Sequence, residues 1–179
     1  AVLGLGNIGP EAAHPVMAGK ALLFKEFADI DAFPICLATQ DTQEIINTCR
    51  YLAPSFGGIN LEDISAPRCF EIEEALQDLG IPVMHDDQHG TAIVILAGLI
   101  NATKLVNKSL KKCKIVVSGL GAAGTATSLM INEYTQNKSE ILLLDSGGLV
   151  CARKNINEAK KMVCNMTHSP KIKGSLEKA

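Results

Sequence analysis

Two short stretches of the sequence gather carboxylates of the kind that hold a hard cation. One is Gly57-Gly-Ile-Asn-Leu-Glu62-Asp63; the other is His85-Asp86-Asp87-Gln-His89. Four like charges converging in a cleft repel one another unless a cation neutralises them. Oxygen donors favour Mg²⁺ or Mn²⁺ over zinc. Each carboxylate taken alone has a simpler reading: Asp63 or Asp87 as a helix cap, Glu62 as a solvated side chain. The group together reads as a metal site. His85 and His89 have the spacing of a zinc pair on one helical face, but a strand-to-helix turn is expected between them. His14 and His168 are isolated and carry no argument. Lys20, in Pro15-Val-Met-Ala-Gly-Lys20, is either a solvated surface lysine or a base whose pKa a neighbouring metal lowers.

A second chemistry is written in glycine. The pattern Gly-x-Gly-x-x-Gly occurs as Gly4-Leu-Gly6-Asn-Ile-Gly9 and as Gly119-Leu-Gly121-Ala122-Ala123-Gly124. Such glycines give a tight turn, close backbone approach to a pyrophosphate and close helix–strand packing, with the phosphates on free N–H groups at a helix start. Only the second copy has the right setting. The run Lys114-Ile-Val-Val-Ser118 leads into it, small residues open a helix after it, and the next strand ends in Asp145, 21 residues past Gly124. An acidic side chain there suits the adenosine ribose hydroxyls. The first copy reads equally well as a backbone turn beside a substrate pocket.

Elements must then bring these residues together. Apolar runs predict strands over 1–5, 33–38, 58–61, 81–85, 114–118 and 140–144. Helical patterns lie over 16–28, 42–53, 69–78, 91–106, 123–134 and 156–166, with starts marked by Asp41 and Glu44, Ser65 before Pro67, and Asn155 with Glu158. Apolar strands joined by helices make the fold α/β, with parallel sheets buried on both faces. A right-handed crossover puts the strand ends at Glu62-Asp63 and His85 on one edge, about 5 Å apart if the strands are neighbours. Lys20 is expected near the start of its helix, at that same edge. A boundary is expected at 107–112, where Asn-Lys-Ser-Leu-Lys-Lys separates a long apolar helix from a new strand.

Composition removes other classes. Hydrophobic residues are 47% of the 179, enough for a core, and a net charge of −2 lacks the basic footprint of a nucleic-acid binder. The longest apolar run, 92–100, is too short to span a bilayer. Six cysteines at 36, 49, 69, 113, 151 and 164 include no Cys-x-x-Cys pair; most fall inside predicted strands or helices, where a free cysteine acts as a small apolar residue, and a reduced, cytoplasmic compartment is expected. The chain opens on an apolar strand and closes on an incipient helix, so both ends read as cut from a longer chain.

The motifs quoted above, taken in chain order from residue 1 to about 179, resemble those of malic enzymes of the shorter, bacterial-like type. The resemblance implies a parallel-sheet substrate and metal domain over 1–107, followed by the first half of a Rossmann-like dinucleotide-binding domain over 108–179. It implies oxidative decarboxylation of L-malate to pyruvate and CO₂ with reduction of NAD(P)⁺, dependent on Mg²⁺ or Mn²⁺. Lys20 matches the general base, Asp86 an aspartate near the substrate, and Glu62, Asp63 and Asp87 the metal ligands. Gly119, Gly121, Ala122, Ala123 and Gly124 match the dinucleotide turn. A homodimer is the family expectation. The family's general acid, a tyrosine, matches neither Tyr51 nor Tyr134 and is expected upstream, so the segment alone is expected to be incomplete for turnover. Asp145 would repel a 2′-phosphate and favours NAD, although Arg153 and Lys154 lie near enough in sequence to admit NADP. Three rival readings are a malolactic-type decarboxylation without net redox, a non-catalytic dinucleotide-binding module, and a metal-dependent hydrolase built on His85, Asp86, Asp87 and His89.

Overall fold

A computed structural model describes residues 5–179. The strand expected over 1–5 therefore falls outside the described residues, apart from Leu5, and so does Gly4 of the first glycine motif. The fold is α/β, and the chain divides into two compact units: residues up to Ile59 with Asp63–Val83, and Asn60–Glu62 with Met84–Ala179.

In the first unit, helix α1 (Pro10–Ala28) begins six residues earlier than its periodicity suggests. Gly9 takes a left-handed φ of 83° and Pro10 follows at the first helical position, where its missing N–H costs nothing. The helix then runs on through Pro15. Lys20 thus sits in mid-helix rather than near a helix start. Helix α2 (Thr42–Leu52) starts where expected, its Glu44 N–H donating to Asp41 Oδ1 at 2.9 Å. It buries Ile45, Ile46 and Cys49, while α3 (Arg68–Ala75) buries Cys69 and Ile72. Arg50 bridges the two helices, donating to the Ala75 carbonyl at 2.6 Å and to Asp78 at 2.9 Å. Ser65 does not cap α3 with its side chain; only its carbonyl accepts, from Cys69 N–H. The strand expected over 33–38 is absent. Phe33 and Ile35 are exposed, and the segment pairs with no strand among the described residues, so nothing completes a ladder there.

Strands β1 (Ile59–Leu61) and β2 (Val83–His85) form a two-stranded sheet. Helix α4 (Asp86–Leu105) leaves β2 with no intervening turn, so it starts five residues before the expected 91.

The rest of the second unit is a three-stranded sheet in the order β3 (Lys114–Ser118), β4 (Glu140–Asp145), β5 (Gly148–Leu149). β3 and β4 are parallel, with Ser118 opposite Leu144, and β5 is antiparallel to β4. Burial on both faces holds for the central strand only: Ile141, Leu142, Leu143 and Leu144 are at most 2% exposed. The edge strand β3 instead alternates between exposed and half-buried residues. Helix α5 (Ala122–Thr135) joins β3 to β4, and small buried residues (Thr125, Ala126, Ser128) open it. Ile131 of α5, Ile141 and Leu143 of β4, Val150, and Val163 of α6 (Glu158–Met166) form one core, with Leu96 and Leu99 of α4 packed against it. The cap of α6 is Asn157, accepting from Lys160 N–H at 2.9 Å, rather than Asn155.

The expectation of reduced cysteines fails for two of the six. Cys151, just after β5, and Cys164, in α6, form a disulfide with their Cα atoms 5.5 Å apart. Packing of α6 into the core beside Val150 brings the two sulfurs within bonding reach, which a sequence separation of 13 does not reveal. Cys36, Cys49, Cys69 and Cys113 lie outside any disulfide.

Candidate metal centre and dinucleotide turn

The carboxylates gather where β1 ends and α4 begins. After Leu61 the chain passes Glu62 and turns at Asp63, whose φ of 55° lies in the left-handed region that aspartate tolerates better than most residues. Asn60 Nδ2 donates to Glu62 Oε2 at 3.1 Å and orients that carboxylate. Asp86 and Asp87 occupy the first turn of α4, where the helix dipole favours negative charge. Glu62, Asp63 and Asp87 each offer one oxygen, and the three oxygens lie within 4.8 Å of one another. All three residues are half-buried. Unit charges at that separation repel by about 3 kcal/mol per pair at an effective dielectric near 20. A donor set made only of carboxylate oxygens suits Mg²⁺ or Mn²⁺.

The N-cap positions of α3 and α4 are Pro67 and His85, so neither Asp63 nor Asp87 occupies an N-cap position. Neither histidine belongs to the oxygen set. His85 is fully buried at the end of β2, its Nδ1 2.9 Å from Gln88 Nε2 and its Nε2 3.5 Å from Asp87 Oδ2. Asp86 folds back over its own helix: a Cβ on Gly90 would lie 2.1 Å from Asp86 Oδ1. Gly90 therefore makes room for the Asp86 carboxylate, a role its lone position in a helical pattern does not announce. Lys20 is half-buried in the middle of α1, in the other unit.

The second glycine motif has the geometry its spacing suggests. Gly119 takes a φ of 110°, and its N–H donates to the Leu144 carbonyl at 2.9 Å, tying the end of β3 to the end of β4. Gly121 is the N-cap of α5, and no side chain caps that helix. Its first N–H groups suit a phosphate. A Cβ on Gly124 would stand 1.8 Å from the Gly119 carbonyl oxygen, so the helix lies against the turn at a distance only glycine permits. Ala122 and Ala123 form the first turn of α5 between these glycines. In the first motif, Gly6 and Gly9 also have positive φ, 82° and 83°.

Asp145 ends β4 beside this turn, and its carboxylate is already engaged. Arg153 Nη1 donates to Oδ1, Lys160 Nζ to Oδ2 at 2.5 Å, and the Gly147 N–H to Oδ1 at 2.8 Å. Burial by itself would raise the pKa of this carboxyl, but the hydrogen bonds from Arg153, Lys160 and Gly147 outweigh it and hold the group well below the usual carboxylate range. Lys154, the other cation noted in the sequence, is exposed. Lys160 was not legible as a partner: it belongs to the first turn of α6, and only the docking of that helix brings it to the strand end.

Residues 1–77 match the family model "Malic enzyme, N-terminal domain", and residues 88–177 match "Malic enzyme, NAD binding domain". The chain is 55% identical over 179 residues to the NAD-dependent malic enzyme of Geobacillus stearothermophilus, covering 98% of this chain and 37% of that protein. It is 53% identical to the bifunctional malic/malolactic enzyme of Bacillus subtilis, covering 99% of this chain and 43% of the relative. Among solved structures, the NAD-dependent malic enzyme of Thermotoga maritima superposes with a TM-score of 0.91 at 47% identity, over 99% of this chain and 48% of that one. The chain thus spans less than half the length of these relatives.

Proposed function

The chain belongs to the malic enzyme family, and on that footing we propose that the protein it represents oxidatively decarboxylates L-malate to pyruvate and CO₂, reducing NAD⁺. The observation that carries this reading is the convergence of three carboxylate oxygens within 4.8 Å, from Glu62, Asp63 and Asp87. Their chemistry fits a divalent cation, Mg²⁺ or Mn²⁺, and these residues would hold it. Bound there, such an ion would supply Lewis-acid stabilisation of negative charge developing on the malate C2 oxygen. Lys20 serves as the general base, taking the C2 hydroxyl proton on Nζ as hydride leaves C2 for the nicotinamide. Asp86, held over Gly90, lies next to the metal ligands in sequence and orients the substrate. The turn from Gly119 through Gly121, Ala122 and Ala123 to Gly124 binds the pyrophosphate, and Asp145 faces the adenosine ribose.

NAD is the proposed cofactor over NADP. Arg153 and Lys160 are committed to Asp145, so a 2′-phosphate would have to take them from a carboxylate that would also repel it. A homodimer in the cytoplasm is proposed on family membership alone; no described helix is long and apolar enough to cross a membrane.

The test is malate-dependent NADH formation by the full-length polypeptide with Mn²⁺, with and without chelator. Activity that chelator abolishes and Mn²⁺ restores is the expected result. Lys20→Ala should remove turnover by at least about a thousand-fold, a loss at the scale of general acid–base catalysis, with Mn²⁺ binding retained. Full activity in chelator, or an active Lys20→Ala variant, would overturn the assignment. A second reading, redox-neutral decarboxylation to lactate, is favoured by the 53% identity to a bifunctional malic/malolactic enzyme. Lactate without net NADH would select it.

A further inference from the structure

Strand β1 carries a polar residue whose presence packing does not explain. Asn60 is its middle residue and is half-buried. Asparagine is depleted in strands, where its short amide competes for the backbone groups that the ladder uses. Its Oδ1 is buried and has no hydrogen-bond partner among the described residues. A buried carbonyl oxygen left without a donor destabilises the fold, and leucine, of similar shape, would avoid that cost. The position therefore calls for an account in terms of what the amide does.

The other end of the amide supplies one. Asn60 Nδ2 donates to Glu62 Oε2 at 3.1 Å. A carboxylate only accepts, so the NH₂ group must face it and the amide oxygen must point away. The unsatisfied oxygen is thus the consequence of committing the donor to Glu62. Alternation along an extended chain puts residues 60 and 62 on one side, so the contact follows from the strand itself. Of the three carboxylates, Glu62 has the most to gain from a fixed donor. It has one more rotatable bond than Asp63 or Asp87, and so more rotamer freedom to lose when it binds an ion. Its oxygen also lies within 4.8 Å of one from each aspartate, and like charges at that range push the longer side chain outward. An amide anchored in the strand opposes both effects.

We propose that Asn60 is a positioning residue: its amide N–H holds the Glu62 carboxylate in the conformation that binds the divalent cation, while its own Oδ1 stays unsatisfied. Removing a hydrogen-bond partner of a metal ligand typically weakens metal affinity by about 10–100-fold. The proposal rests on the reading of Glu62 as a ligand.

The decisive measurement is Mn²⁺ affinity of the full-length polypeptide without malate, from the electron paramagnetic resonance signal of free Mn²⁺, alongside thermal melting in metal-free buffer. Asn60→Leu should weaken Mn²⁺ binding by about 10–100-fold yet melt no lower than wild type, because the unsatisfied oxygen leaves with the amide. An affinity loss accompanied by a fall in metal-free Tm would make the residue structural and overturn the proposal. Asn60→Gln, which carries the same donor on one more methylene, should recover part of the loss; binding no better than in Asn60→Leu would refute the amide as the operative group. Wild-type affinity in Asn60→Leu, with binding lost in Glu62→Gln, would overturn the positioning role alone. Wild-type affinity in Glu62→Gln would overturn the ligand assignment beneath it. If Asn60→Leu does not fold, Asn60→Ala decides: it removes the amide without adding bulk and should weaken Mn²⁺ binding, whereas unchanged affinity would sink the idea.

Discussion

Lys160 Nζ lies 2.5 Å from Asp145 Oδ2, joining the first turn of α6 to the end of the central strand. Arg153 takes the other oxygen of the same carboxylate. Two cations on one anion leave a net positive charge at the edge where an adenosine ribose would lie, but both cations are occupied. Asp145→Asn removes the anion and releases them. The variant should raise the ratio of kcat/KM with NADP to that with NAD by about ten-fold or more, equivalent to about 1.4 kcal/mol. Parallel steady-state kinetics with the two cofactors check it, and an unchanged ratio would show that the pair does not govern cofactor choice.

The same contact makes stability depend on pH. The Asp145 carboxyl is held below its ordinary range in the folded state, so its stabilising contribution is full above the unfolded value, about pH 4. It is lost as pH falls from there toward the folded value, because the unfolded chain then binds the proton first. Wild type should melt above Asp145→Asn at pH 6, and the gap in Tm should shrink on acidification below about pH 4. A gap that stays constant down to pH 2.5 would contradict the linkage.

Much of this arrangement is legible in sequence, for identifiable reasons. The Ile141–Leu144 run is apolar without a break because the strand is central, and the Asp41–Glu44 pair marks the start of α2 because an Asx side chain accepts from the N–H three residues on. The starts of α1 and α4 are not marked in sequence, because their N-caps, Gly9 and His85, are not residues whose side chains signal a cap. A strand over 33–38 was expected from apolar residues alone, yet a strand also needs a neighbour. The gathering of carboxylates at two strand ends is legible from the crossover, and the resemblance singles out the three that lie together, whereas Lys160 on Asp145 and the Cys151–Cys164 disulfide depend on where α6 docks, which no local spacing encodes.

Two glycines distinguish backbone crowding from side-chain crowding. A Cβ at position 124 would sit 1.8 Å from a backbone oxygen of the turn, whereas one at position 90 would sit 2.1 Å from the mobile end of Asp86. Gly124→Ala must push α5 away from Gly119, which should cost about 1–3 kcal/mol of stability, the usual range for overpacking, and abolish NAD binding. Gly90→Ala should need only a new Asp86 rotamer. It should melt close to wild type and bind NAD normally, with the loss falling on malate turnover. Calorimetric NAD titrations and thermal melts of the two variants separate these cases, and equal effects on both readouts would refute the distinction.

The disulfide closes a loop that carries both cations of the Asp145 cluster, since Arg153 and Lys160 lie between Cys151 and Cys164. Tethering the two ends of this segment limits the conformations open to it in the unfolded chain, worth about 3 kcal/mol for a loop of this length in the chain-entropy account. In the folded chain it pins the start of the segment, near Arg153, to α6, from which Lys160 projects. Cys151→Ser should therefore lower Tm and raise the KM for NAD together, as positional freedom of the cations loosens the carboxylate that would face the ribose in the proposed function. A dithiol reductant, taking the disulfide to two thiols while itself becoming oxidised, should do the same to wild type and nothing further to the variant. Mn²⁺ affinity should not move in either case, because the carboxylate trio lies outside the loop. If the reductant shifts the KM of Cys151→Ser as much as that of wild type, the effect belongs to another thiol, and the link between this crosslink and the ribose edge fails.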